Sequence, residues 1–137
     1  MADLYKIMSY LQQSTRNRIV FCHDDIDGVD FVDVGKEMAL LLVGRQQNNT
    51  GLDAIYKLVL NKSRQCDSIG MYLAIENIGI LFEPELKLDL RSLFNHYSKN
   101  QCLIVRTEAK IENDTLYFLD TSDNASINLQ GLSYTII

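Results

Sequence analysis

The sequence predicts an α/β domain of three layers, a mainly parallel sheet with helices on both faces and a β extension at the C-terminal end. Three observations carry this. Short apolar runs rich in β-branched and aromatic residues, at 18–23, 70–75 and 102–105, read as buried strands. Segments with apolar residues at i, i+3, i+4 and i+7 lie between them, as βαβ units require. The last part of the chain has β-rich runs and no helical period. With 137 residues, 47% apolar and 23% charged, the chain is expected to form one domain over 1–137. A domain of this size buries about 70% of its unfolded surface and needs no metal or disulfide staple. A two-domain enzyme is not expected.

Along the chain, Leu4, Ile7, Met8 and Leu11 form the apolar face of a first helix that ends near Ser14. The first strand, 18–23, leads into a loop, His23 to Gly28. Residues 29–34 alternate apolar and acidic side chains and read as a second strand. From Lys36, good helix formers without clean alternation predict a mostly buried helix stopping near Gly44, then a polar loop over 45–50. Leu52, Ile55, Tyr56 and Val59 mark the face of a third helix running to about Asn61. The uninterrupted run 70–75 is the central-strand candidate. After Glu83-Pro84, Leu90, Leu93, Phe94 and Tyr97 share a helix face ahead of the strand at 102–105. Runs at 116–119 and 134–137 read as an appended hairpin or sheet edge.

Charge and cysteine usage narrow the function. Thirteen Lys and Arg against eighteen Asp and Glu, a net charge of −5, disfavour non-specific binding to phosphate polymers or anionic lipid, so nucleic acid is expected only indirectly. The three cysteines, Cys22, Cys66 and Cys102, lack C-x-x-C spacing and read as reduced thiols. The N-terminal stretch has no apolar core of signal length and no apolar run approaches eighteen residues, so a cytoplasmic protein without a membrane span is expected. Lys57, Lys62 and Arg64 form a basic cluster that reads as a solvated face, and His96 as a helix-edge residue.

In parallel sheets ligands bind beyond the carboxyl ends of the strands. That rule selects three segments: His23 to Gly28, Glu76 with Asn77, and Arg106 with Thr107. A phosphate-binding loop, G-x-x-x-x-G-K-[ST], is absent: Gly35-Lys36 is followed by Glu37, and Asp30 stands where the first glycine is needed. Asp24, Asp25, Asp27, Asp30 and Asp33 also crowd this stretch with no Lys or Arg before Lys36, which would repel a triphosphate. Nucleotide hydrolysis by this chain alone is therefore not expected. Yet residues 71–75 deliver Glu76 to the rim as a Walker B strand delivers its magnesium-binding acid.

From Asn77 to Val105 the sequence NIGILFEPELKLDLRSLFNHYSKNQCLIV resembles the region after the Walker B strand in the small P-loop proteins of BREX bacteriophage-exclusion islands. There an acid precedes an N-I-x-L-L-F-[DE]-P-x-L-K-x-D run. The resemblance continues through Glu108 to Phe118 and backward through FVDVGKEMALLL. It departs at FCHDDIDGVD, where that family carries its glycine-rich loop and the following helix. What it implies is a reduced P-loop-like fold with the phosphate cradle lost, Glu76 at the Walker B position with Asn77 beside it, and Arg106 or Thr107 near a sensor position. It implies a non-catalytic, ATPase-like subunit without a cofactor. Its partners would be proteins of a phage-defence complex and further copies of itself, to which Arg91, Lys99 or Arg106 would be presented in trans.

The same loop supports a second expectation. Residues 21–28 resemble the H-x-D-x-D-G motif of the DHH phosphoesterases, and by that resemblance His23, Asp25 and Asp27 would ligate manganese or magnesium while Gly28 permits the turn. That family needs further ligands, including a D-H-H element, and the only other histidine is His96.

Overall fold

The computed structural model of the chain describes residues 2–13, 15–42, 51–118 and 125–137. In chain order the elements are α1 (Ala2–Leu11), β1 (Ile19–Cys22), β2 (Phe31–Asp33), α2 (Val34–Leu42), α3 (Gly51–Lys62), β3 (Arg64–Cys66) and β4 (Gly70–Glu76). Two 3-10 turns, Ile78–Phe82 and Pro84–Leu86, lead to α4 (Leu90–Tyr97) and β5 (Cys102–Arg106). Four short strands follow: β6 (Lys110–Glu112), β7 (Thr115–Tyr117), β8 (Ser126–Asn128) and β9 (Tyr134–Ile136).

The main sheet has the order β2-β4-β5-β1-β9, all parallel, with β3 antiparallel to the start of β4. Tyr72 pairs with Cys102 on one side and Arg64 on the other, so β3 and β2 lie end to end along the outer edge of β4. Every residue of β1 is buried, as are the central residues of β4 and β5, which is why these strands read as continuous apolar runs. Alternate residues sort into two cores. Ile19, Phe21, Leu73, Ile75, Leu103 and Val105 face α2, α3, α4 and the appended sheet. Val20, Cys22, Tyr72, Ala74, Cys102 and Ile104 face α1.

The β1–β2 connection, 23–30, contains no helix, as the predicted loop at His23 to Gly28 requires, and its Ile26 and Val29 join α1 in covering the second face. A Cβ on Gly28, at φ +87°, would meet Leu4 of α1 at 3.2 Å, so loop and helix are in close contact. α2 is half-buried: Val34 and Met38 are inside while Leu40 is 63% exposed. α3 buries Ala54, Ile55 and Leu58 and turns Leu52, Tyr56 and Leu60 to solvent. Residues 51, 54, 55 and 58 satisfy the same helical spacing as 52, 55, 56 and 59, and packing selects the first set. The predicted loop at 45–50 and the helix stop at Gly44 lie outside the described residues.

At the C-terminal end, β6-β7-β8 form a separate antiparallel sheet, whereas the run at 134–137 supplies β9, an edge strand of the main sheet parallel to β1. Pattern reading finds neither β3, β6 nor β8, because each is three residues long and mostly polar or charged, too short to show a period.

α4 starts where Asp89 caps it, its carboxylate accepting the Ser92 N–H at 3.1 Å and the Ser92 hydroxyl at 2.9 Å. These bonds, the backbone one foremost, hold the Asp89 carboxyl below its ordinary range. Asp89→Ala is expected to lower stability by about 1 kcal/mol at neutral pH. Because the folded-state pKa lies below the unfolded one, the cap contributes above about pH 4 and its contribution disappears as the pH falls through the folded value. Urea unfolding of parent and variant should differ at pH 7 and converge near pH 2.

Candidate functional site at the strand C-termini

The registers bring four strand ends level. Cys22 pairs with Arg106, Ile75 with Val105 and Asp33 with Glu76. β1 continues toward β2 on one side of the sheet, and β5 continues toward β9 on the other, so neighbouring strands β1 and β5 send the chain in opposite directions. Such a switch point leaves a crevice at the carboxyl ends. Here it is a cleft of about 560 Å³, lined by His23, Asp33, Glu76, Asn77, Arg106 and Glu108 with Ala109 and Phe118 as its apolar wall. His23, Thr107, Glu108 and Ala109 also line an adjoining hollow of about 320 Å³.

Arg106 is the hub. Its Nε lies 3.3 Å from Glu76 Oε1, its Nη1 donates to Asp25 Oδ1, and its guanidinium stands 5.9 Å from the centroid of the Phe31 ring. One cation thus joins the end of β5, the end of β4 and the β1–β2 loop. The Walker B-like acid is therefore paired within its own chain, by the same arginine that the sequence reading offers to a neighbour. The acidic stretch that looked uncompensated in sequence draws its partners from afar: Asp25 from Arg106, and Asp30 from Arg64 at 3.7 Å.

Asp33 and Asn77 form the second half of the rim. Asp33 Oδ1 accepts the Lys36 N–H at 3.0 Å and Asn77 Nδ2 at 2.8 Å, and these bonds lower its carboxyl pKa, the Lys36 amide foremost. Asn77 adopts a left-handed backbone conformation, φ 53°, and its carbonyl accepts the Gly35 N–H at 3.1 Å. A Cβ on Gly35 would fall 2.5 Å from Asn77 Nδ2. Gly35→Ala is expected to break the Asp33–Asn77 bond and destabilise the protein by about 1–3 kcal/mol, measured by urea unfolding.

His23, Asp25 and Asp27 are all exposed, and among the described residues no group of three or more His, Cys, Asp or Glu is placed to hold a metal ion. Arg91 Nη1 donates to the Asn128 carbonyl at 2.7 Å, binding α4 to β8, and Lys99 is exposed before β5, at the other end of the sheet. Neither joins Arg106. Lys62 pairs with Glu37 at 3.5 Å, and His96 stacks edge-on against Tyr97. The three thiols are unpaired, and burial pushes Cys22 up to about 11 and Cys102 to about 12, as for packed, unreactive side chains.

Pattern reading missed Asp33, Glu108 and Phe118. Asp33 has a local signal, an acid three residues before an amide in a new helix. Glu108 and Phe118 have none, since the appended sheet brings Phe118 to the cleft, where it stacks on Phe82 at 4.9 Å. No helix among the described residues is long and apolar enough to cross a membrane. Compared with family models, curated proteins and solved structures, the chain matches none.

Proposed function

We propose that this chain is a non-catalytic, ATPase-like subunit that acts by protein–protein assembly. The pairing of Glu76 with Arg106 carries the reading. A magnesium ion at Glu76 would have to displace a guanidinium already neutralising it. The helix-free β1–β2 connection supports the same reading, because no backbone N–H groups at a helix start follow β1 to cradle phosphate. The setting, a cytoplasmic phage-defence complex of the BREX type, rests on the resemblance over residues 31–42 and 77–118 alone.

Titration with a fluorescent ATP analogue in magnesium buffer should give no saturable binding, and no phosphate should be released over a protein-free blank. Micromolar binding displaced by unlabelled ATP would overturn the reading. A manganese titration tests the phosphoesterase alternative: heat that disappears in Asp25→Asn and Asp27→Asn would replace an assembly subunit with a metal site. Co-purification with the other proteins of an exclusion system tests the setting, and failure to co-purify removes it.

A further inference from the structure

All five parallel strands run the same way, so the two ends of the sheet are distinct surfaces, roughly 20 Å apart for strands of this length. They carry opposite charge. The carboxyl-end rim holds Asp33, Glu76 and Glu108 on the cleft and Asp24, Asp25 and Asp27 in the exposed connection that leaves β1, against Arg106, Lys36 and Lys110. At the amino end, Arg16 and Arg18 precede β1, His96 stands in the last turn of α4 and Lys99 lies between α4 and β5, all exposed. Residues 12–18 and 95–101 contain no Asp or Glu. Among the described residues, Asp67 in the β3–β4 turn and Asp114, whose carboxylate accepts the Tyr134 hydroxyl at 2.6 Å, are acids toward this end.

The basic end is held rigidly. The Arg18 N–H donates to the Ser98 carbonyl at 2.9 Å, and the Asn17 side chain bonds Asn95 and Ser98 at 2.9 and 3.0 Å, so the two basic segments are fastened together. Arg16, Arg18 and Lys99 make no ion pair with any described residue. A preorganised cationic face loses little freedom on docking.

We propose that this protein self-associates head to tail, the basic amino-end rim of one copy seating on the acidic cleft rim of the next. The inference rests on the reading of the chain as an assembly subunit and names the partner as a second copy. Charge complementarity selects this arrangement: a two-fold contact through either end would bring like charges together, whereas head-to-tail contact pairs Arg16, Arg18 and Lys99 with the rim acids. Such a contact is heterologous. It leaves one free face of each kind, so assembly grows into a chain or closes into a ring.

The test is light scattering of the purified chain at about 100 micromolar, in 0.1 M and 1 M salt, between which the screening length falls from about 10 Å to about 3 Å. The parent should exceed the monomer mass at low salt and return to it at high salt. Two double variants that neutralise one face each, Arg16→Gln with Arg18→Gln and Asp24→Asn with Glu108→Gln, should each be monomeric at low salt, with circular dichroism unchanged. Their equimolar mixture should form a dimer and nothing larger, because each retains only one competent face. A monomeric parent, oligomers indifferent to salt and to both variants, or a mixture that stays monomeric would each overturn the proposal. A monomeric parent that binds a single-stranded oligonucleotide, with binding lost in the Arg16/Arg18 variant, would assign the basic rim to nucleic acid instead. Saturable ATP binding would defeat the functional reading and leave this outcome to be read independently.

Discussion

Asn17→Ala is expected to destabilise the protein by about 3–5 kcal/mol, lowering the thermal midpoint by roughly 10–20 °C. Asn17 is fully buried yet wholly polar. Its amide donates to Asn95 Oδ1 at 2.9 Å and Ser98 Oγ at 3.0 Å, and its Oδ1 accepts the Ser133 N–H at 3.2 Å. Its own carbonyl accepts the Tyr10 hydroxyl at 2.9 Å and the Thr15 hydroxyl at 2.6 Å. One side chain therefore fastens the entry of β1 to the end of α4 and to the approach to β9, while its backbone receives α1. Truncation leaves several buried partners unsatisfied at about 1–3 kcal/mol each, partly relieved by water. Asn17→Asp should be at least as damaging, since it places a carboxylate beside the Asn95 and Ser98 oxygens that the amide had served. Denaturant unfolding measures both, and a loss under 1 kcal/mol for Asn17→Ala would show that the network relaxes around the gap.

Phe21→Ala is expected to cost about 3–5 kcal/mol, and Phe21→Leu less than about 1.5 kcal/mol. Phe21 sits in β1, 2% exposed, with its ring 6.4 Å from Phe94 and 5.8 Å, edge-on, from Tyr134. It thus packs the central sheet against α4 and the edge strand β9 at once. The alanine variant loses the transfer energy of a buried ring and leaves a cavity that three rigid elements cannot close. Urea unfolding gives the magnitude. A ratio of the two losses near one would mean that ring geometry, not volume, sets the cost.

The parts of the rim that were legible in sequence are those announced by an apolar strand. His23, Glu76 and Arg106 each follow one, and the parallel registers set them level as the alternation of strands and helices implies. What they do to each other was not legible. Arg106 meets Asp25 and Glu76 only because β5 lies between β1 and β4, an order that no local pattern encodes. The acidic loop illustrates the same point, since its missing cations come from β3 and β5. Helix faces were partly legible: Leu90 and Phe94 are buried as the spacing predicts, whereas α3 is rotated relative to its predicted stripe.

The sequence by itself determined that this is an α/β protein with buried central strands, a β-rich C-terminal part and no phosphate-binding loop, because periodicity, apolar runs and motif spacing are properties of neighbouring residues. Only the tertiary structure decided that α1 covers the face that a crossover helix would take, that β9 enters the main sheet, and that Arg106 closes over Glu76. Those outcomes depend on which strands become neighbours, and that is settled by burying both faces of the sheet together.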